Sequence, residues 1–433
     1  MKTYRIETLG CKVNHYESQS LEEIFQKGGY QKVEEGQASD VTVVNTCTVT
    51  NLSDKKSRQA IRQAKRRSPQ GLVVAMGCYS QVKPEEVAEL EEVDLVLGTA
   101  HKGQILEEIN RLKKERATPI EVEDMLDFGL FEDLHIHDQG AMTRAYMKVQ
   151  DGCNQFCSYC IIPYARGRIR SRKMDQALEE ARDLVASGYK EIVLTGIHIG
   201  SYGKDLEGDL GLIDLIEAMA KVEGLERIRL SSIEPMTISR DFLQRALDTG
   251  KLCDHFHLSL QSGSDTTLEA MNRKYRTEDY KRTVDLIREY MPHAGITTDI
   301  IVGFPGEEEV HFKETLDFAK EIGFARIHVF PYSPRTGTPA AARKDQVHGQ
   351  VKKDRAKVLA QLAEDLQRDF VKREMPYRQS ILFEEKIQDR VYGYTSNYIR
   401  VYAQTNKDLN NQVFYGKIKE EGLEPVEVIP WEG

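Results

Sequence analysis

Residues 145–160 read AYMKVQDGCNQFCSYC, a short strand-like run that ends in three cysteines, Cys153, Cys157 and Cys160, within eight positions. Three thiols are an unusual number. A structural zinc site closes its tetrahedron with four protein ligands, whereas an iron–sulfur cube has one corner per ligand and can keep a corner open. A zinc knuckle completed by a distant histidine is the alternative, and no fourth ligand lies at ordinary finger spacing. A motif at the end of a strand sits where β/α barrels place their chemistry.

Working outward, six runs repeat the strand pattern: AYMKVQ, EIVLTG, RIRLSS, HFHLSL, TTDIIVGF and RIHVF, separated by helix-period segments. Six repeats are fewer than the eight of a closed barrel, so the pattern predicts an open, TIM-like (β/α)6 barrel. A charged helix is expected over about 343–374, ended by MPY at 375–377. Residues 375–433 change to short alternating runs and predict a small all-β, OB-like barrel. On the other side, the first hundred residues alternate apolar strands with polar helices, a parallel, flavodoxin-like α/β unit. The predicted organisation is an N-terminal domain over 1–110, a linker or crossover over 111–142, the barrel with its trailing helix over 143–374, and the β-barrel over 375–433.

Cys11, Cys47 and Cys78 each follow the apolar run of a predicted parallel strand, in LGCKVN, NTCTVT and MGCYSQ. Strand ends of one sense share an edge, where ligands sit, so these thiols are expected to converge on a second three-thiolate site. Gly10, Thr46 and Gly77 beside them suit a crowded ligand edge; three buried packing thiols are the plainer alternative. Cys253 lacks partners and reads as a packing residue. The seven cysteines are an odd number, better suited to ligands and packed thiols than to a disulfide framework. With 40% hydrophobic and 30% charged residues, and no apolar run near the roughly 20 residues that span a bilayer, the chain reads as cytoplasmic and not membrane-bound.

A net charge of -9 does not announce a nucleic-acid partner, so RNA contact must come from local patches. Residues 51–70 hold seven Lys or Arg and one acid, with Lys55, Arg58, Arg62 and Lys65 in a helical stripe. ARGRIRSRK supplies Arg166, Arg168 and Arg170, with Arg172 and Lys173, directly after the cysteines. The first stretch is a candidate phosphate contact, and the second, beside the cysteines, could grip either RNA phosphates or a cofactor's carboxylate. Tyr392, Tyr394, Tyr398, Tyr402 and Tyr415 offer base-stacking platforms, or equally the filling of a small barrel. The tail carries seven basic against nine acidic residues, so it is expected to assist RNA binding and not to anchor it.

The Cys153 motif, with Tyr159 before its last cysteine, resembles that of the radical S-adenosylmethionine enzymes. The resemblance implies a 4Fe-4S cluster on three cysteines whose open iron binds S-adenosylmethionine, and cleavage of the sulfonium to a 5'-deoxyadenosyl radical. It implies cofactor contacts from Tyr159, Thr195 and Gly196 in LTGIHIG, from Ser259, Gln261 and Ser262 in SLQSGSD, and from Asp299 in TDIIVGFPGE. Across nearly the whole chain the arrangement resembles the methylthiotransferases, with a TRAM-type C-terminal barrel. That implies a second 4Fe-4S cluster on Cys11, Cys47 and Cys78, and all six cysteines in catalysis. Lys12, Val13 and Asn14 resemble the branch acting on N6-threonylcarbamoyladenosine beside the tRNA anticodon. Gln-Met-Asn is usual in the isopentenyladenosine branch and Pro-Lys-Asn in the branch acting on a ribosomal protein aspartate. His15 stands where Gln is expected. The implied partners are the anticodon stem-loop of tRNA, an external electron donor and a sulfur source. A non-catalytic iron–sulfur RNA-binding regulator is the reading from another class.

Overall fold

The computed structural model describes residues 2–34, 36–112, 119–140, 143–405 and 407–430. Six strands form the first sheet: β1 (Thr3–Thr8), β2 (Gln31–Lys32), β3 (Val41–Thr46), β4 (Leu72–Gly77), β5 (Leu95–Leu97) and β6 (Ile120–Glu121). All pair in parallel, in the order β2-β1-β3-β4-β5-β6. β3 and β4 read as near-continuous apolar runs because both faces are covered. Leu21 and Phe25 of α1 (Lys12–Lys27) pack on one face with Ile105 and Ile109, and Ile61 and Ala64 of α2 (Asn51–Arg67) pack on the other. β6 falls inside the segment read as a linker. Beyond it, irregular chain still contributes Leu134 and Ile136 to a small core around Tyr16.

The second series opens with β7 (Arg144–Lys148). A short antiparallel pair follows, β8 (Gln150–Asp151) with β9 (Arg170–Ser171), and closes the cysteine loop at its base. Then come β10 (Glu191–Thr195), β11 (Arg227–Leu230), β12 (His255–His257), β13 (Gly295–Val302) and β14 (Arg326–Pro331). β7-β10-β11 and β12-β13-β14 are parallel, and the bridges Ile228–Leu252 and Ile233–Leu258 join them. Among the described residues β7 and β14 do not pair, so the six-stranded barrel is open, as its repeat number predicts. The trailing helix begins at Gly349 and not near 343, because the His348 ring accepts the Gln350 N–H and caps it there. It ends at Glu374. A closed five-stranded barrel completes the fold: β15 (Gln379–Ile387), β16 (Arg390–Thr395), β17 (Arg400–Gln404), β18 (Val413–Ile418) and β19 (Val426–Pro430), ordered β15-β16-β17-β19-β18.

Candidate active site

Cys11 and Cys47 follow β1 and β3, the two neighbours at which strand order reverses, and Cys78 follows β4 as the first residue of α3 (Cys78–Val82). Ligands of open parallel sheets bind at such a switch point. The edge is tightly built. Gly10 has φ +100° and a Cβ there would stand 2.8 Å from the Cys47 sulfur; Gly77 has φ +95° and would meet Asn45 Oδ1 at 2.5 Å. Asn14 clamps the edge, donating to the carbonyls of Leu9 at 2.8 Å and Thr46 at 3.0 Å. Burial pushes all three thiols up, and each feels the charge of another of the set. The opposing influence is Arg166, whose Nε donates to Cys78 Sγ at 3.3 Å.

The second trio lies in the loop that β8 and β9 close. Cys153 N–H donates to the Gly167 carbonyl at 2.9 Å, and Cys160 N–H to the Cys157 carbonyl at 2.9 Å. Burial pushes Cys153 up to about 11 and Cys160 up to about 12. Arg273 Nη1 donates to Cys157 Sγ at 3.2 Å while its Nη2 pairs with Glu234 at 2.6 Å. Tyr159 packs edge-on against Phe304 at 6.4 Å. Among the described residues, two groups bring their ligand atoms all within 4.8 Å, His135 with His137 and Asp183, and His257 with Asp299 and His328; neither cysteine trio is among them. A single zinc ion with bonds of about 2.3 Å would draw thiolates closer than that. Three separated sulfurs beside a buried guanidinium fit an anionic cube with an open corner.

The two trios belong to one interface. The helix Ile162–Arg166, just past Cys160, packs on α3, and Thr99 Oγ1 donates to the Ala165 carbonyl at 2.6 Å. Arg166 is fully buried and also donates to Asn14 Oδ1 at 2.7 Å and Glu17 Oε2 at 3.0 Å. Lys148 pairs with Glu17 at 2.9 Å and Asp151 at 2.7 Å; Lys102 pairs with Glu17 at 3.3 Å. Arg170 is buried too, 3.7 Å from Asp151, and Arg172 pairs with Glu180. The phosphate role expected of Arg166 and Arg170 is therefore corrected: their charges are spent on buried carboxylates and sulfur. Arg168 alone of the three is exposed.

The α2 stripe needs a similar correction. Arg58 pairs with Glu86 at 3.0 Å, Arg62 with Glu92 at 3.9 Å and Lys65 with Asp94 at 3.0 Å. Lys55 is exposed and, among the described residues, has no ion pair.

Above the first trio's edge a cavity of about 740 Å3 runs from Cys11 and Lys12 across the barrel strand ends to Tyr398 of the last barrel. Thr195, Gly196 and Asp299 line it. His257 presents Nε2 to Asp299 at 3.4 Å, its Nδ1 held by Thr297 Oγ1 at 2.9 Å. Ser259, Gln261 and Ser262 do not line the cavity. Ser262 Oγ sits 3.3 Å from Thr315 Oγ1, buried against a helix, which removes it as a cofactor contact; the Ser259 carbonyl is taken by Tyr275. Gln261 holds β13 through its backbone, bonded to Asp299 and Ile301 at 2.9 Å each, with φ +72°. Tyr398, also left-handed at φ +73°, stacks on His255 at 4.4 Å.

Against known proteins, residues 147–319 match the Radical SAM superfamily and residues 3–98 match the Uncharacterized protein family UPF0004. The threonylcarbamoyladenosine tRNA methylthiotransferase MtaB of Bacillus subtilis (strain 168) is 41% identical over 98% of this chain and 95% of its own length. The chain belongs to the radical S-adenosylmethionine methylthiotransferases. This methylthiotransferase is also 39% identical to the Aquifex aeolicus (strain VF5) protein of the same name, over 94% of this chain and 98% of that one. A Clostridium tetani (strain Massachusetts / E88) tRNA-2-methylthio-N(6)-dimethylallyladenosine synthase is 38% identical, covering 83% of this chain and 80% of the relative. Among solved structures, the methyltransferase TsrM of Kitasatospora setae, with cobalamin and a 4Fe-4S cluster bound, shares the fold at TM-score 0.60 and 16% identity, over 78% of this chain and 77% of that one.

Proposed function

We propose that this methylthiotransferase acts on C2 of N6-threonylcarbamoyladenosine at position 37 of tRNA, in the cytoplasm, with two 4Fe-4S clusters and S-adenosylmethionine. The observation that carries the reading is the meeting of two three-thiol sites across one interface, with Arg166 reaching from the helix after Cys160 to the sulfur of Cys78. The choice of base is supported by LGCKVN and by near-full-length relatives named for threonylcarbamoyladenosine.

Cys153, Cys157 and Cys160 would hold one cluster and Cys11, Cys47 and Cys78 the other; together with S-adenosylmethionine they supply the hydrogen-abstracting radical and the methylated sulfur. The remaining work is the chain's own. Arg166 and Arg273 offset thiolate charge that burial disfavours. Thr195, Gly196 and Asp299 offer polar contacts in the cavity, and Tyr159 packs beside the second trio. A cavity shared by the Cys11 edge and the barrel strand ends offers a place to orient the substrate base against the first trio. For tRNA, Lys55 and Arg168 remain exposed for phosphates. On the last barrel Arg378, Arg390 and Arg400 lie over Tyr415, Tyr402 and Tyr392, an aromatic and cationic face suited to bases.

The test is anaerobic. The chain, reconstituted with iron and sulfide, is given reductant, S-adenosylmethionine and tRNA bearing threonylcarbamoyladenosine, and the digested nucleosides are weighed. The expected product carries one added CH3-S group and is lost in Cys11→Ala and in Cys157→Ala. Formation of 5'-deoxyadenosine with an unchanged nucleoside would refute the substrate. Absence of both from an iron-loaded sample would favour the non-catalytic regulator.

A further inference from the structure

We propose that Lys12 anchors the carboxylate on the threonylcarbamoyl arm of the substrate base, and thereby sets which N6-substituent the enzyme accepts. The proposal rests on the substrate reading above and adds the residue that enforces it.

Three Lys or Arg side chains line the cavity: Lys12, Arg229 and Arg326. Two are already spent. Arg229 meets Glu191 at 2.6 Å and the Ser396 carbonyl at 2.9 Å, and Arg326 is bonded to Glu424. Lys12, the first residue of α1, opens into the cavity and has no carboxylate within 4.0 Å among the described residues. Its Nζ lies 5.7 Å from the centre of the Tyr146 ring, and Tyr398, Arg144, Arg229 and Glu191 make up its charged surroundings. Asp299 is the one carboxylate among the residues lining the cavity, and it faces His257. Around Lys12, Arg144 and Arg229 add positive charge that Glu191 and Tyr398 offset, and no carboxylate pairs with Lys12 directly, which leaves room for an anion on the ligand.

The same wall holds further unpartnered polar atoms. Ser231 Oγ and His255 Nδ1 are buried without a hydrogen-bond partner. An arm with a carboxylate, a hydroxyl and a urea can satisfy these groups, whereas an isopentenyl arm would leave them and the Lys12 amine bare. A site built to bond a polar group rejects an analogue that lacks it by a large factor. The carboxylate of S-adenosylmethionine is the competing anion, since Thr195, Gly196 and Asp299 line this cavity, whereas Cys153, Cys157 and Cys160, which would hold the cluster that binds it, do not. Lys12 is exposed, as Lys55 and Arg168 are, but it opens into the cavity lined by the barrel strand ends and Tyr398, so an anion that reaches it there has entered that cavity.

The test compares tRNA carrying threonylcarbamoyladenosine with the same tRNA carrying its methyl ester, which removes the negative charge and adds a methyl group; the Lys12 variants separate the two effects. The expected result for the native chain is a kcat/KM about 10- to 100-fold higher on the acid, the range of a charge-assisted hydrogen bond. In Lys12→Gln the ratio should fall to within about threefold of one through loss of rate on the acid, and Lys12→Arg should restore most of it. Equilibrium binding of the two tRNAs to the iron-free chain repeats the comparison without turnover. A preference that persists in Lys12→Gln, or a defect confined to the KM for S-adenosylmethionine, overturns the assignment. Equal use of acid and ester by the native chain also overturns it while the substrate reading stands; use of neither refutes the substrate reading itself.

Discussion

Glu191 is buried in the barrel between Arg229, at 2.6 Å, and Arg227, at 3.2 Å. Burial alone would push its carboxyl up, but the guanidiniums more than reverse this and hold it at about 2, against an ordinary 4.5. A lowered folded pKa gives stability that is complete above the unfolded value and is lost as pH falls through the folded one. The native chain should lose stability from about pH 4.5 down to pH 2 from this group, by about 3 kcal/mol. Glu191→Gln should be less stable at pH 7 and lack that part of the slope, read as urea midpoints against pH. Identical slopes in the two proteins would show that the group does not titrate there. At this scale the six cysteines were legible because their spacing against the strands is local. The arginines beside them were not. Arg166 sits in a run of positive charge, and its counter-ion Glu17 lies 149 residues away. A subtler signal was present: Glu17 falls on the stripe of α1 that buries Val13, Tyr16 and Leu21, and Lys148 stands inside the apolar run of β7. Opposite charges on two buried stripes announce a pairing between them.

α2 shows the same limit for a whole element. Its sequence contains a single acid among seven bases, so it reads as a phosphate-binding face. Folding supplies the missing acids from elsewhere: Glu86, Glu92 and Asp94 answer Arg58, Arg62 and Lys65. The two groups should separate in a salt titration of tRNA binding. Lys55→Ala is expected to weaken binding a fewfold and to lower the slope of log affinity against log salt by about 1. Arg58→Ala and Lys65→Ala should leave the slope unchanged and cost under about 1 kcal/mol of stability, since these pairs are partly exposed. An equal change of slope in all three would restore the stripe as a phosphate contact. The strands were read well, because alternating or continuous apolar runs bounded by turns are written locally.

For the whole molecule, docking of the first sheet onto the barrel was invisible in the sequence, since every contact spans long separations. Besides Arg166, the loop after β14 is tied to α2: Arg335 pairs with Asp54 at 3.0 Å, both side chains 4% exposed, and donates to Asn51 Oδ1 at 2.8 Å. Removing one partner of a buried pair leaves a bare charge and costs about 3–5 kcal/mol. Arg335→Met should therefore lower the hydrogen-exchange protection of α2 amides by about 100-fold or more while β15–β18 keep theirs. Equal loss in both regions would mean that the pair supports global stability and not docking.

The cavity has one further consequence, and it concerns inheritance. Its wall is assembled from all three parts of the chain: Cys11 and Lys12 from the first sheet, Asp299 and His257 from the open barrel, Tyr398 from the last. A gene fusion that exchanges only the C-terminal module between two such enzymes therefore transplants part of this cavity's wall along with that module. The wall and the last barrel cannot be shuffled separately; a lineage that changes one must retune the other across two seams.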